Sequence, residues 1–384
     1  MQIYVVKEND TVDIIGGYFG ISPYTLAWAN QIEPPYRLAV GQALFIPDGV
    51  SEGARREITL GGYAYPWIEQ DVLEETAAFL TGISVFSYGF TAEGTLIYPE
   101  EEGERRILET ASLRQVVPVL VLTPLDEEGH FNNYLVSVLV RNLKVQQRMI
   151  RELWAVIQEK GYRAVNVDFE YVLAEDREGF AEFVRRLRVI LNLYGIAVTV
   201  ALAPKTSDDQ PGLLYEGIDY GALGEAANGV FLMTYEWGYT YSEPMAVAPL
   251  PMVRRVAEYA LSRISREKII LGIPNYGYDW PLPYVRGTTK AQSISYTDAI
   301  RLAVDHGVRI FFDEVSQTPW FRYWQYGIQH EVWFEDVRSY QAKFRLMEEL
   351  GLPGAGFWQL MRLFRAGWLL ADSMYKIRKL EGKY

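Results

Sequence analysis

Apolar and polar residues divide most of the chain into two kinds of segment. From residue 58 onward, short and nearly continuous apolar segments are separated by longer segments in which apolar residues recur every three or four positions. The short segments are typical of strands buried on both faces, and the longer ones are typical of amphipathic helices. The pattern predicts eight strands, over residues 58–65, 82–90, 116–123, 164–170, 196–203, 229–235, 268–274 and 354–360.

Eight alternations of strand and helix predict an α/β protein with a (β/α)8 TIM barrel over residues 58–384. One connection is too long for this plan. Residues 274–354 separate the seventh and eighth strands, whereas a helix with its loops needs about half of that length. We therefore expect a small α+β insertion over about residues 281–345. Such an insertion would wall one side of a site at the carboxyl ends of the strands.

A small separate domain is predicted before the barrel, over residues 1–48. Its pattern indicates a strand, two helices and a closing strand over residues 43–46, and Asp10 and Ser22 are residues that start helices. Residues 49–57 are polar and contain glycine, which predicts a linker. We expect few contacts between the two domains, because domain boundaries usually fall in such segments.

Composition and charge narrow the possible functions. The chain has 384 residues, no cysteine, three histidines and a formal net charge of −12. Disulfides and thiolate metal sites are excluded, the scattered histidines disfavour a zinc site, and the acidic balance disfavours nucleic acid. The apolar segments are too short to span a membrane. We expect a monomer without metal or cofactor, and with no nucleic-acid or membrane partner.

Aromatic residues make up 14% of the chain, with 27 tyrosines and 10 tryptophans. They could fill a large core, or they could bind carbohydrate, since the C–H faces of sugar rings stack on aromatic rings. Composition alone leaves both interpretations open. The first residues show no basic region followed by an apolar stretch, so no secretory signal peptide is predicted.

The fourth predicted strand carries three polar side chains on one face. Side chains alternate along a strand, so Asn166, Asp168 and Glu170 point into the barrel. Such groups are costly inside a barrel unless they are paired, and they lie near the carboxyl end, where barrel enzymes hold their catalytic groups. Asp168 and Glu170 would lie about 6.5–7 Å apart along the strand. We expect the charge of Asp168 to favour the protonated form of Glu170.

The stretch GYRAVNVDFE resembles the DGxDxDxE signature of glycoside hydrolase family eighteen, the chitinase-like barrels. The resemblance implies that Glu170 is the catalytic acid and that Asp168 is its partner. Arg163 and Ala164 stand where the signature has Asp-Gly, and Asn166 stands where it has its middle Asp. Asparagine can keep a hydrogen bond but has no proton to share, so the pH dependence is expected to differ from that of chitinases.

Other strands carry further matches to this family. The sixth strand ends in MTYE followed by a tryptophan, which resembles the family's M-x-Y-D, and GFW on the eighth strand resembles the segment with the tryptophan that floors the sugar site. The resemblance implies that Tyr235 is a third catalytic residue. It also implies substrate contacts for Asn166, Met233, Glu236, Trp237 and Trp358, and for the plausible wall residues Tyr63 and Tyr65, between which the sequence does not choose.

This family uses the substrate itself as the nucleophile, so one protein acid is enough. The N-acetyl group of the −1 sugar attacks its own anomeric carbon while Glu170 protonates the leaving oxygen. Asp168 would hold the acetamido N–H, and Tyr235 would donate to the acetamido oxygen. Water would then open the oxazolinium intermediate with Glu170 as base. The resemblance therefore implies a retaining glycoside hydrolase that cleaves beside N-acetylglucosamine.

The N-terminal segment resembles a LysM domain, a module that binds peptidoglycan and chitin. The matching residues are Asp10-Thr11, Ile14, Ser22, Leu26, Asn30, Leu38, Gly41-Gln42, Leu44 and Ile46-Pro47. The combined layout resembles bacterial spore cortex-lytic N-acetylglucosaminidases, although these normally carry two LysM copies and one is visible here. The implied enzyme is associated with the spore or cell wall and acts on peptidoglycan. A chitinase or other endo-N-acetylglucosaminidase, and a non-catalytic glycan-binding lectin, are the alternatives.

Overall fold

The eight predicted strands form a closed parallel barrel in the computed structural model, which describes residues 2–47, 55–126 and 128–379. The strands are Glu57–Ala64, Gly82–Phe90, Val117–Leu122, Ala164–Val167, Ala197–Leu202, Gly229–Leu232, Ile269–Pro274 and Gly354–Trp358. Each barrel strand pairs with the next, and the first also pairs with the eighth, where Gly61 lies opposite Gly356. The predicted TIM barrel is confirmed.

Amphipathic helices surround the barrel. The longest, Leu143–Lys160, begins where the Asn142 side chain accepts backbone hydrogen bonds, and it ends at Gly161, whose φ of 78° suits glycine. The other barrel helices are Gln70–Ala77, Glu101–Leu113, Asn133–Arg141, Arg177–Asn192, Tyr220–Ala226, Leu250–Leu261, Val337–Glu349 and Arg365–Met374, with 3-10 turns at Ala174–Asp176 and Arg266–Lys268. Short strands at Leu96–Ile97 and Lys376–Ile377 pair with the second and first barrel strands. No described helix is long and apolar enough to cross a membrane.

The insertion between the seventh and eighth strands is a five-stranded antiparallel sheet with one helix, as expected of a small α+β unit. Its helix is Tyr296–Asp305, and its strands are Gly277–Leu282, Gln292–Ile294, Phe311–Asp313, Thr318–Gln325 and Ile328–Trp333. The sheet therefore begins and ends earlier than the predicted residues 281–345. The amphipathic helix Val337–Glu349 explains the later boundary, because it packs on the last two barrel strands as a barrel helix.

Residues 2–47 form the predicted unit of strand, two helices and strand, here called the N-terminal module. Its elements are Gln2–Val5, Val12–Phe19, Pro23–Ala29 and Ala43–Ile46, and the two strands pair antiparallel. The Thr11 and Ser22 side chains cap the two helices. A small core of its own consists of Val6, Val12, Ile15, Leu26, Leu44 and Ile46. Residues 49–54 of the predicted linker 49–57 lie outside the described residues, and Glu57 already begins the first barrel strand.

The module packs directly on the barrel, so the prediction of few contacts between them is wrong. Four apolar module residues belong to the barrel core: Ala29, Ala39, Ala43 and Phe45. Gln31 donates to the carbonyl oxygen of Leu363 at 3.2 Å and accepts from the N–H of Arg365 at 2.8 Å. The prediction used only the polar character of the connecting segment, whereas residues distant from it in the sequence form this joint.

Gly41 fits the joint for two reasons. Its φ is 88°, and a Cβ atom there would lie 1.9 Å from the carbonyl oxygen of Ile310. Only glycine tolerates both the left-handed backbone and the close approach. Beside it, the Ile310 N–H donates to the carbonyl oxygen of Val40 at 2.9 Å. The module and the insertion therefore meet through their backbones, which fixes their relative position.

Candidate active site

A cavity of about 510 Å³ opens at the carboxyl ends of the barrel strands. The predicted site residues that line it are Tyr63, Asp168, Glu170, Met233, Tyr235, Glu236, Trp237 and Trp358. The lining residues that were not among those predictions are Tyr171, Ala201, Pro204, Leu214, Tyr215, Phe231 and Tyr239. Two predicted residues do not line the cavity and lie behind it, Asn166 against Tyr63 and Tyr65 against Trp358.

The fourth strand ends at Val167, so Asp168 and Glu170 follow the strand instead of forming part of it. Both line the cavity. Phe169 between them is fully buried on the other side of the chain. Its ring stacks on that of Phe180, on the outer helix Arg177–Asn192, with centroids 5.4 Å apart. This apolar anchor directs the two carboxyl groups on either side of it into the cavity.

Burial favours the protonated form of both acids. It raises the pKa of Glu170 to about 7, and the nearby Glu236 carboxylate acts in the same direction. Burial also raises the pKa of Asp168 well above its usual range, with a further contribution from Glu170. Asp168 and Glu170 repel each other, as their positions along one strand predict, and Glu236 adds to the repulsion on Glu170. A carboxyl group with a pKa near 7 can donate a proton at neutral pH.

Asp168 also has a free acceptor. Its Oδ1 atom is buried and has no hydrogen-bond partner among the described residues. The amide of Asn166 is bonded elsewhere, since it accepts from Tyr63 Oη at 3.0 Å and donates to Thr199 Oγ1 at 2.9 Å. A buried oxygen without a donor costs free energy, so a ligand that brings an N–H or O–H group to this position would be favoured.

Four of the five residues that follow the sixth strand line the cavity, and the fifth, Thr234, is buried. Tyr235 is buried, and burial raises its pKa well above the usual range, so its hydroxyl stays protonated and able to donate. Glu236 has a left-handed backbone with φ of 66°, a costly conformation for a residue other than glycine. Its carboxylate accepts from Tyr276 at 3.0 Å and from Tyr278 at 3.4 Å, and these bonds hold it at the cavity wall.

Trp358, at the end of the eighth strand, forms an aromatic wall with residues of the first two strands. Its ring meets that of Tyr63 edge-on at 5.5 Å and that of Phe86 at 5.0 Å. Tyr65 packs behind it at 6.0 Å and stacks on the exposed Trp67 at 4.5 Å. Edge-on packing fixes the orientation of the Trp358 ring and leaves part of it open to the cavity. Of the two tyrosines between which the sequence did not choose, only Tyr63 reaches the cavity.

Comparison with known proteins identifies the family. The model for glycosyl hydrolases family 18 matches residues 79–362, and the model for the LysM domain matches residues 4–47. The chain belongs to glycosyl hydrolase family 18. It is a glycoside hydrolase that carries a LysM module, and its substrate is a peptidoglycan or chitin-like glycan.

Several relatives match along the whole chain. The cortical fragment-lytic enzyme of Bacillus subtilis (strain 168) is 37% identical, and the alignment covers 99% of both proteins. The crystal structure of the Bacillus cereus spore cortex-lytic enzyme SleL has a TM-score of 0.93 at 31% identity, and the match covers 99% of each chain. The structure of SleL from Bacillus megaterium QM B1551 has a TM-score of 0.82 at 35% identity and covers 98% of this chain and 87% of that one.

The sequence did not predict the site residues that come from the loops and the insertion of this family 18 enzyme. Tyr276 and Tyr278 come from the start of the insertion, and Tyr215 from the loop after the fifth strand. No fixed spacing connects them to the acidic motif, so neither periodicity nor motif matching could select them. The available signal was the density of tyrosine in segments 235–241 and 276–278.

A buried lysine organises one of these loops. Lys205 follows the fifth strand, is fully buried, and donates to the carbonyl oxygens of Asp208, Tyr215 and Ile218 at 3.0, 3.1 and 2.8 Å. These three bonds close the loop on itself and place Tyr215 at the cavity. In the described part of the chain, no group of three or more histidine, aspartate or glutamate residues could hold a metal ion.

Proposed function

We propose that this family 18 enzyme hydrolyses peptidoglycan of the spore cortex, cleaving beside N-acetylglucosamine with retention of configuration. The relatives that match along the whole chain are named for cortex lysis, and the LysM module fits a polymer that contains N-acetylglucosamine. The same support favours association with the spore or cell wall. In this proposal the enzyme acts as a monomer.

Glu170 is the general acid and base of the proposed reaction. It lines the cavity, and its pKa of about 7 lets it protonate the glycosidic oxygen and then accept a proton from the attacking water. Trp358 and Tyr63 form the floor on which the −1 sugar rests. Met233 and Trp237, which follow the sixth strand, border the same sugar.

The buried and unpaired Oδ1 of Asp168 carries the proposed mechanism. An acetamido N–H of the −1 sugar would supply the donor that this oxygen lacks. Tyr235, with its protonated hydroxyl, would donate to the acetamido oxygen and aim it at the anomeric carbon. Asn166 acts one layer below: it holds Tyr63 and does not touch the sugar. The N-acetyl group is then the nucleophile, and Glu170 needs no partner across the sugar.

Glu236 is a third carboxylate at the cavity, and it is assigned to substrate contact rather than to nucleophilic attack. Two tyrosine hydroxyls donate to one of its oxygens, which holds it at the wall and lowers its nucleophilicity. It can still accept from a sugar hydroxyl through its free oxygen. A protein nucleophile would make the N-acetyl group dispensable, so substrates without this group decide between the two assignments.

The test is digestion of purified cortex glycan beside the same glycan after de-N-acetylation, with chitin oligomers as a third substrate. Mass analysis of the new reducing ends should show N-acetylglucosamine at every cut in the cortex glycan and no cuts beside glucosamine. Equal cleavage of the acetylated and de-acetylated glycans would contradict the mechanism. Faster cleavage of chitin oligomers than of cortex glycan would identify a chitinase instead, and binding without cleavage would identify a lectin.

A further inference from the structure

The side chain of Asn275 bonds the backbone beside the aromatic wall of the cavity. Asn275 follows the seventh barrel strand, is 6% exposed and does not line the cavity itself. Its Nδ2 atom donates to the carbonyl oxygens of Gln359 at 3.0 Å and of Arg362 at 2.7 Å, and its Oδ1 atom accepts from the Tyr340 hydroxyl at 3.2 Å. The two donors and the acceptor of this amide are therefore all in use.

These bonds continue the pairing of the seventh and eighth barrel strands beyond its end. The parallel register ends where Pro274 lies opposite Trp358. The backbone N–H of Asn275 then donates to the carbonyl oxygen of Trp358 at 2.9 Å. Residues 359–364, here called the wall segment, follow Trp358 and precede the helix Arg365–Met374. Asn275 therefore bonds the chain at and directly after the residue whose ring forms the cavity wall.

Trp358 is held from both neighbouring strands, because the eighth barrel strand lies between the first and the seventh. On the side of the first strand, the Leu360 N–H donates to the carbonyl oxygen of Tyr63 at 2.8 Å, and the Tyr63 ring meets that of Trp358 edge-on. On the side of the seventh strand, Asn275 supplies the bonds. Without its side chain, the wall segment could shift on that side, and the Trp358 ring with it.

Tyr340 fixes the direction of the Asn275 amide. It is buried on the helix Val337–Glu349, where its ring packs on those of Phe357 and Phe364 with centroids 5.6 and 5.0 Å away. Its hydroxyl lies 3.2 Å from Asn275 Oδ1 and 3.2 Å from the carbonyl oxygen of Pro274. The reverse orientation of the amide would place its oxygen against two carbonyl oxygens, so both N–H groups point at the wall segment.

We propose that Asn275 is a positioning residue for the reaction, which holds the wall segment so that the Trp358 ring keeps the orientation on which the −1 sugar rests. The placement of that sugar rests on the proposed function. Asn275 acts only through Trp358, so its removal should disturb the floor of the site and leave proton transfer by Glu170 intact.

The variant Asn275→Leu tests this proposal, because leucine has a similar shape but no polar group. The carbonyl groups of Gln359 and Arg362 lose their donors, and the wall segment should shift. We expect kcat/KM on a soluble oligosaccharide to fall about two- to tenfold, the range of one aromatic contact. The alkaline limb of the pH profile should stay in place. Tyr340→Phe keeps the ring and should cause a smaller loss of the same kind.

A double-mutant cycle with Trp358→Ala separates positioning from a general structural role. If Asn275 acts through the ring, Asn275→Leu should change kcat/KM by less than about twofold once the ring is absent. The same fall in both backgrounds would overturn the proposal, because Asn275 would then act independently of Trp358. A shifted alkaline limb in Asn275→Leu would also overturn it, since the effect would then come from the acids.

Gln146→Met is the matched control. Gln146 is also a buried amide that donates to two carbonyl oxygens, those of Leu139 and Val140 at 3.0 and 3.1 Å, but it lies on an outer helix. The substitution should lower the unfolding midpoint and leave kcat/KM unchanged. A fall in kcat/KM equal to that of Asn275→Leu would overturn the proposal, because the loss of any buried amide would then have this effect.

A spectroscopic measurement keeps the test independent of hydrolysis. With 5-fluorotryptophan at its ten tryptophan positions, the protein should give one fluorine resonance for each, and Trp358→Phe identifies that of Trp358. This resonance should shift or broaden in Asn275→Leu and stay unchanged in Gln146→Met. An unchanged resonance in Asn275→Leu would overturn the proposal. If the parent protein cuts no glycan, the proposed function fails while this measurement still decides whether Asn275 positions the ring.

Discussion

The two acids that follow the fourth strand differ in their surroundings, and the difference assigns their roles. Asp168 is almost completely buried, burial raises its pKa well above the usual range, and it presents an oxygen without a donor. Glu170 is partly accessible from the cavity and has a pKa of about 7. A group that transfers protons to substrate and water must be accessible and must titrate near the working pH. Glu170 meets both conditions, whereas Asp168 suits a fixed contact.

Glu170→Gln should lower kcat by about 10²–10⁴-fold, because the amide keeps the shape of the side chain but cannot donate a proton. Binding of an uncut oligosaccharide, measured by calorimetry, should persist. Glu175→Gln is the control, since Glu175 is an exposed glutamate just along the chain. Turnover within about threefold of the parent would remove Glu170 from this role.

Glu236→Gln should shift the pH profile. The negative charge of Glu236 raises the pKa of Glu170, so its removal should lower that pKa. The general acid must be protonated to act, and the alkaline limb of kcat/KM, near pH 7 in the parent, should therefore move to lower pH. Glu243→Gln, an exposed acid in the same loop, should leave the limb in place. A limb that stays in place in both variants would contradict the assignment.

The sequence revealed part of this residue-level picture. The alternation in VNVDFE placed Asp168 and Glu170 on one face because side-chain direction in a strand depends only on local spacing. The partners of these residues depend on distant segments. Asn166 bonds to Tyr63 and Thr199, on the first and fifth strands, and no local pattern specifies that choice.

Among the elements, the loop after the fifth strand shows how a loop without regular structure can form a rigid wall. The ammonium group of Lys205 replaces secondary structure by bonding three carbonyl groups of the same loop. Below it, the Tyr220 hydroxyl donates to the carbonyl oxygen of Ala203 at 2.6 Å and accepts from the N–H of Lys205 at 3.0 Å. The position of Tyr215 in the cavity therefore depends on a residue that does not touch the substrate.

Lys205→Met should raise KM on soluble oligosaccharides more than it lowers kcat. The apolar side chain leaves three buried carbonyl groups without a donor, at about 1–3 kcal/mol each, so the loop rearranges while the acids stay in place. Lys268→Met is the matched control, because Lys268 also bonds two carbonyl groups, at the opposite end of the barrel. It should lower the unfolding midpoint without changing KM. Equal KM changes in both variants would indicate a general loss of stability instead.

Some elements are determined by their own residues and can be predicted from the sequence, whereas others depend on contacts with distant segments. Each barrel strand is a buried apolar segment, and its own residues reveal it. The insertion was expected from length alone, and its end was misplaced because Val337–Glu349 is an amphipathic helix whichever unit it belongs to. Assignment of that helix to the barrel required the contacts with the seventh and eighth strands, which a single sequence does not show.

At the scale of the whole molecule, the joint between module and barrel changes how the enzyme would work on a polymer. A module on a loose tether raises only the local concentration of substrate. Here Phe45 is buried in the barrel core, and Arg365 bonds the carbonyl oxygen of Trp28 and the carboxylate of Glu75. The module therefore has one orientation relative to the acids.

Gly41→Ala should loosen this joint. The new methyl group would collide with the carbonyl oxygen of Ile310, and φ at this position is 88°. Loss of the bond from Ile310 to Val40, worth about 0.5–1.5 kcal/mol, should lower the unfolding midpoint by about 1–2 °C. Amide exchange measured by mass spectrometry should accelerate around residue 310, which lies in the insertion rather than in the module.

Gly20→Ala distinguishes the effect of the lost joint from the effect of backbone strain. Gly20 also has a left-handed backbone, with φ of 69°, but nothing lies within 4 Å of its added Cβ. It should strain the module without accelerating exchange around residue 310. The second measurement compares activity on long strands and on a trisaccharide. If a module with a fixed orientation guides long strands toward the acids, Gly41→Ala should lose activity on long strands and keep it on a trisaccharide, whereas Gly20→Ala should keep both. Identical behaviour of the two variants would mean that the module contributes affinity alone and that its orientation has no role.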